Sequence, residues 1–190
     1  MSAIPASPAA QPASTIGPTT AAAAATPDAP PVLAERDGGV LTLTMNRPAQ
    51  FNALSAEMMS ALQSALESAA ADPEVRVVVL AAAGKAFCAG HDLREMRATP
   101  GLDFYRELFA QCSRMMMVIQ RMPQPVIARV HGIATAAGCQ LVAMCDLAVA
   151  AEGARFAVSG VNLGLFCSTP SVALSRNLGR KQAFEMLVTG

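Results

Sequence analysis

Residues 125–150 read PVIARVHGIATAAGCQLVAMCDLAVA, and their order decides the fold. VIARV (126–130) is a short apolar strand that His131-Gly132 closes. The small residues Ala136-Ala137-Gly138 then open a helix, and LAVAA (147–151) is a second apolar run of the buried-strand type. Strand, helix, strand predicts parallel pairing through a crossover helix. The first N–H groups of that helix lack intrahelical partners, and its dipole favours negative charge there. The polar residue one turn further on is Gln140, an amide that cannot take a proton at neutral pH.

The upstream chain repeats the alternation. VLAERDGGVLTLTM (32–45) predicts a hairpin turning at Asp37-Gly38-Gly39, and Asn46-Arg47-Pro48 ends its second strand. Ser55 caps a helix with Met59, Leu62 and Leu66 on one face, which Asp72-Pro73 stops. VRVVVLAA (75–82) predicts a strand buried on both faces, and GKAFCAGHDLREM (84–96) a loop passing into a helix. Phe104, Leu108, Met115 and Ile119 place a longer helix over about residues 103–121, ended by Pro123 and Pro125. Two further helices fill 170–189. The sum is an α/β fold with mostly parallel strands and no visible internal repeat.

Composition narrows the function. Of 190 residues, 14 are basic and 14 acidic, so no positive surplus points to nucleic acid or an anionic membrane. No apolar run reaches the roughly 18–20 residues of a membrane span. Five cysteines without metal-type spacing read as reduced thiols, and predict a cytoplasmic protein without a metal site. Residues 1–31 hold 11 Ala, 7 Pro and Asp28 as their only charge. They read as a disordered leader ahead of a folded domain over 32–190.

Both FCAGHDL (87–93) and TAAGCQL (135–141) place small residues where a strand gives way to a helix, which lets a ligand approach the backbone. Together with LTLTMNRPAQFNALS (41–55), VRVVVLAAAGKAFCAGHDL (75–93) and ARFAVSGVNLGL (154–165), they resemble the crotonase, or enoyl-CoA hydratase/isomerase, family. The resemblance spans about residues 32–190. It implies a spiral of ββα units, acyl-CoA thioester substrates, no cofactor beyond the coenzyme A of the substrate, and assembly as trimers or pairs of trimers. It also implies further C-terminal helices past EMLVTG (185–190), so that the helical end of the fold is missing here.

Carried across by position, the family's oxyanion donors fall on the backbone N–H groups of His91 and Ala137, and Ala89, His91, Asp92, Leu93 and Ala137 contact the acyl-CoA. The two glutamates that move protons in the family's hydratases fall on Gln140 and Gly160. Three functions are therefore weighed. One is action on an enoyl-CoA in fatty-acid metabolism through the oxyanion hole. The second is decarboxylation of a malonyl-type acyl-CoA with His91, because the family's methylmalonyl-CoA decarboxylases share the GHD and VNLG signatures. The third is acyl-CoA binding without catalysis.

The remaining polar residues read as structural. His131 supports a strand end, Asp92 favours a helix dipole, and Asp146 makes a local turn. Ser159 and Asn162 flank the lost carboxylate, Cys139 is a small buried residue, and Met115 to Met117 pack a helix.

Overall fold

The computed structural model describes residues 29–190. The leader expected over residues 1–31 lies, as far as residue 28, outside them. The hairpin forms as the sequence predicts. β1 (Val32–Asp37) pairs antiparallel with β2 (Val40–Met45), Asp37 stands opposite Val40, and Gly38 takes φ +53° in the turn. Ser55 Oγ accepts from the Met58 N–H at 3.1 Å and caps α1 (Ala56–Ala71).

Beyond α1 the chain runs β3 (Val77–Ala82), β4 (Ala86–Cys88), α2 (Leu93–Ala98), α3 (Leu102–Arg121), β5 (Val126–Val130), β6 (Ile133–Thr135) and α4 (Ala137–Met144). β7 (Leu147–Ala150), β8 (Arg155–Ala157), a 3-10 turn (Ser159–Leu163), α5 (Ser168–Asn177) and α6 (Arg180–Thr189) follow. β1-β2-β3-β5-β7 form one sheet, parallel from β2 onward, and β4-β6-β8 form a second, parallel sheet. Each strand of the larger sheet from β3 on is followed by one of the smaller sheet and then by helix. The result is three ββα units wound into a spiral, the α/β fold that the family resemblance implies.

The sequence reading placed a loop where β4 stands and no strand at β6 or β8. Each has only three residues, too few to show a two-residue period. It also expected LAVAA to be buried, whereas β7 is exposed throughout, with Leu147 at 61% and Val149 at 64%. β7 is the last strand of its sheet, and apolar composition alone does not tell an edge strand from a central one. In β3, Val78, Leu80 and Ala81 are buried, while Val77 and Val79 are half-covered.

The main core lies between the larger sheet and α1 and α3. Leu43, Met45, Val78, Leu80, Val126 and Ala128 meet Met58, Met59, Leu62 and Leu66 from α1 and Leu108, Met115, Met116 and Ile119 from α3. Each large apolar side chain so buried contributes about 1.5–3 kcal/mol. Met117, the third of the methionine run, is exposed. A smaller cluster of Cys139, Val158, Cys167, Leu174 and Leu187 sits under α4, α5 and α6.

Asn52 joins the two sheets, a role the sequence reading missed. It is fully buried and sits at φ +52°, a conformation that Asn tolerates better than most residues. Its Oδ1 accepts from the Arg47 N–H at 2.9 Å, and its Nδ2 donates to the Ala83 and Ala86 carbonyls at 2.8 and 2.9 Å. Asn52 thereby fixes the step from β3 into β4. Asn52→Ala strands three backbone groups, the Ala86 carbonyl buried and the other two partly so, and is expected to lower stability by about 1–3 kcal/mol. A urea unfolding midpoint equal to that of the wild type would contradict this role.

Candidate functional site

Pairing of β4 with β6 sets the site. Cys88 stands opposite Ala134 in that parallel pair, and three residues beyond each lie His91 and Ala137. Two strands that run side by side thus deliver two backbone N–H groups to their shared carboxyl end, where α/β sheets bind ligands. Glycines let the segments close on one another. A Cβ at Gly138 would collide with the Cys88 carbonyl, and one at Gly90 (φ +87°) would stand 3.0 Å from the Ala136 Cβ and 3.3 Å from the Ala137 nitrogen.

Both N–H groups are left over by the secondary structure. His91 forms a parallel bridge with Leu54, but the bonds come from its neighbours: Leu54 N–H donates to Gly90 O at 2.7 Å and Asp92 N–H to Leu54 O at 3.3 Å. The His91 N–H faces the other way. Ala137 is the first residue of α4, so its N–H has no intrahelical acceptor. Neither group donates to a protein acceptor among the described residues. Ala136, just before α4, holds φ +50° and ψ −122°, a conformation uncommon for a side chain with a Cβ.

Next to these groups is a cavity of about 290 Å³, lined by Ala89, His91, Leu93 and Ala137, with Phe109 from α3 and Leu163, Leu165 and Phe166 from the segment after β8. Among the described residues, no Asp, Glu, Lys or Arg is on its wall. Phe109 holds the His91 ring edge-on at 5.3 Å between centroids. Both His91 ring nitrogens are buried without a hydrogen-bond partner. Burial lowers the imidazole pKa below its ordinary value of 6.5, with the Leu54 carbonyl opposing the shift, so the ring is neutral at pH 7. Asp92 turns away from the cavity to cap α2, accepting from the Arg94 and Glu95 N–H groups at 3.0 and 3.3 Å.

The two positions of the family's glutamates behave differently. Gly160 lines the cavity, but a Cβ there would fall 2.6 Å from both the Leu165 carbonyl oxygen and Cys167 Sγ. That site has no room for any side chain. Gln140 is 7% exposed and does not line the His91 cavity. It lines a second cleft between α3, α4 and α5, which shares Thr169 with the first.

Other residues find structural partners. His131 donates from Nε2 to the Gly84 carbonyl at 2.8 Å. Asp146 corrects the reading of a local turn: its Oδ2 accepts from the N–H of Val126, twenty residues away, at 2.8 Å and so ties β7 to β5. Ser159 shares a 2.9 Å hydrogen bond with Thr135, and Asn162 is exposed outside the cavity wall. Burial pushes the Cys139 thiol up to about 11, which suits a packing residue and not a nucleophile. Among the described residues no cluster of His, Cys, Asp and Glu could hold a metal, and no helix is long and apolar enough to cross a membrane. Phe109, Thr169 and the Leu163–Phe166 wall went unread in the sequence because side chains brought together from distant parts of the chain carry no local signature.

Comparison with known proteins agrees with the fold. The family described as Enoyl-CoA hydratase/isomerase matches residues 35–190. The chain is 50% identical, over 83% of its length, to the mitochondrial enoyl-CoA hydratase domain-containing protein 3 of Danio rerio, and covers 55% of that relative. The crystal structure of an enoyl-CoA hydratase from Mycobacterium smegmatis superposes with a TM-score of 0.84 at 69% identity, covering 85% of this chain and 63% of that one. That of human enoyl-CoA hydratase domain-containing protein 3 gives 0.81 at 48%, covering 84% and 63%. The chain thus spans about half the length of the first curated relatives it matches. These names correct the cytoplasmic location expected from the cysteines, because vertebrate relatives at 47–50% identity are all named mitochondrial. Buried free thiols do not distinguish the two compartments.

Two outcomes follow from this geometry. Gly160→Glu, which places a carboxylate where the family resemblance expects one, is expected to cost about 1–3 kcal/mol by overpacking and to add no hydratase activity; a stable, newly active variant would refute the steric argument. His91 is expected to titrate below 6.5 by NMR. The unfolded chain binds that proton more tightly, so the stability tied to neutral His91 is full above about pH 6.5 and declines as the pH falls below it. Urea midpoints from about pH 7 to pH 5 should drop less in His91→Leu than in the wild type, and equal slopes would count against a neutral, buried ring.

Proposed function

This chain belongs to the enoyl-CoA hydratase/isomerase family, and we propose that it binds an acyl-CoA thioester, with the thioester oxygen between the N–H groups of His91 and Ala137. One observation carries the reading. The register of β4 and β6 brings two unengaged N–H groups to the mouth of an apolar cavity. Two such donors polarise a thioester carbonyl and stabilise the enolate that forms from it. An enoyl-CoA of fatty-acid metabolism is the substrate this chemistry favours. Ala89 and Leu93 flank the thioester, and coenzyme A arrives as part of the substrate, so no separate cofactor is called for.

The proton chemistry differs from that of a hydratase with two glutamates. Gly160 offers no carboxyl and no room for one, and Gln140 offers an amide. The cavity wall therefore supports a second reading, loss of carbon dioxide from a malonyl-type acyl-CoA. A carboxylate placed there meets no counter-charge, its departure needs no base, and the same two N–H groups hold the resulting enolate. The His91 imidazole is then the neutral hydrogen-bonding group beside it. Assembly of copies into trimers or pairs of trimers belongs to the same proposal. It is supported by the apolar side chains that β7 and α6 expose, among them Leu147, Val149 and Phe184.

Mass spectrometry of reactions with crotonyl-, longer enoyl- and methylmalonyl-CoA separates these readings. Hydrated product supports enoyl-CoA chemistry, and carbon dioxide release supports decarboxylation. Saturable binding without product from any thioester assigns the chain to acyl-CoA binding alone. Ala137→Pro removes one donor at the first helical position, where no intrahelical bond is lost, and circular dichroism checks that Ala136, at φ +50° and ψ −122°, accepts a following proline. Turnover is expected to fall about 10²–10³-fold with the fold intact; unchanged turnover would exclude Ala137 as a donor.

A further inference from the structure

The two edges of the larger sheet are built differently. β1 carries Glu35, Arg36 and Asp37, all exposed, and Pro30 and Pro31 precede it. Charges and prolines of this kind keep foreign strands off an edge. β7, at the other edge, is Leu147-Ala148-Val149-Ala150, without charge, proline or bulge, and all four residues are exposed. Its backbone is open on that side. The Asp146 N–H donates to the Val126 carbonyl of β5 at 2.9 Å. Alternation along the strand then turns Ala148 toward β5 as well, and leaves the N–H and C=O groups of Leu147 and Val149 pointing outward. Among the described residues no strand, turn or loop bonds to them.

The strand is complementary to itself. Set antiparallel about a twofold axis at Ala148, Leu147 faces Val149 of a second copy and Val149 faces its Leu147. These are the residues with outward N–H and C=O groups, so the two pairs exchange hydrogen bonds in both directions. Their side chains, beside Ile127 and Arg129 of β5, form apolar cross-strand pairs on one face of the joined sheet. Asp146 falls opposite Ala150, so no charge meets a like charge, and a net charge of zero adds no repulsion between copies. We infer that β7 pairs with β7 of a second copy in this register and carries the five-stranded sheet across a twofold axis. Four residues on each side bury less than the about 1,200–2,000 Å² of a stable interface, so the pairing is weak and follows concentration. It needs no thioester and stands apart from the proposed activity. Where copies also assemble by threes, it joins two trimers.

Sedimentation of the protein from about 10 µM to about 1 mM is expected to show association in even numbers, as dimers or paired trimers. Val149→Lys, which puts a charge on the free edge, is expected to abolish it. Phe184→Lys, at an exposed apolar residue of α6, is expected to leave it intact. Cross-linking tests the register. Ala148 sits on the axis in a pair without hydrogen bonds, whose Cα atoms lie about 4.5 Å apart, within the span of a disulfide. Two Leu147 residues stand diagonally, about 7–8 Å apart, which is too far. The five native cysteines are buried. With copper–phenanthroline and air as oxidant, Ala148→Cys is expected to form covalent dimers at least about tenfold faster than Leu147→Cys. Monomers at every concentration, trimers alone, pairing that survives Val149→Lys, or equal cross-linking of the two cysteine variants overturns the inference. The cross-linking comparison decides the matter even where Val149→Lys fails to fold.

Discussion

The parallel pairing of β4 with β6 is the constraint on which the rest of the structure depends. It is a short contact, Ala86 against Ile133 and Cys88 against Ala134 with an irregularity between them, and it works because the backbones meet closely. Gly132 lies against the Lys85 carbonyl, Gly138 against the Cys88 carbonyl, and Gly90 against Ala136 and Ala137. With that closeness, the residues three beyond Cys88 and Ala134 both lie at the carboxyl end of the pair and on the wall of one cavity. Asn52 anchors the approach to β4 from beneath by bonding the carbonyls on both sides of the connection. The larger sheet, α1 and α3 supply the bulk of the core that keeps these small elements in place.

The electrostatics of the site follow from what its wall excludes. A cavity with no charged side chain strengthens any dipole directed into it, so two backbone N–H groups count for more there than in water. The same dryness keeps His91 neutral. The two positions that the family resemblance gives to carboxylates differ for reasons of their own. At Gly160 the chain turns so tightly against Leu165 and Cys167 that only hydrogen fits. At Gln140 the side chain keeps the length and shape of a glutamate and loses its charge. One position is closed to acid–base chemistry by space and the other by chemical type.

Much of this was legible in the sequence, for identifiable reasons. The hairpin followed from Asp37-Gly38-Gly39, α1 from Ser55 and its apolar stripe, and β5 from VIARV, because each is set by local chemistry. The two loops at 87–93 and 135–141 stood out because small residues precede helices in both. The smaller sheet was missed although a glycine recurs between the two consecutive strands of each unit, at Gly84 before β4, Gly132 before β6 and Gly153 before β8. That recurrence was the available signal. The exposure of β7, the crowding at Gly160 and the separate cleft of Gln140 depend on which strand lies at an edge and which loop folds back. Those are properties of packing that no window of sequence contains.

The central claim, that the N–H groups of His91 and Ala137 grip a thioester oxygen, is tested most directly by carbon-13 NMR of a bound acyl-CoA labelled at its thioester carbonyl. Two hydrogen bonds withdraw electron density from that carbon. The account predicts a downfield displacement of the carbonyl resonance on binding, reduced in Ala137→Pro at matched occupancy. A bound thioester whose carbonyl resonates where it does in water would contradict it.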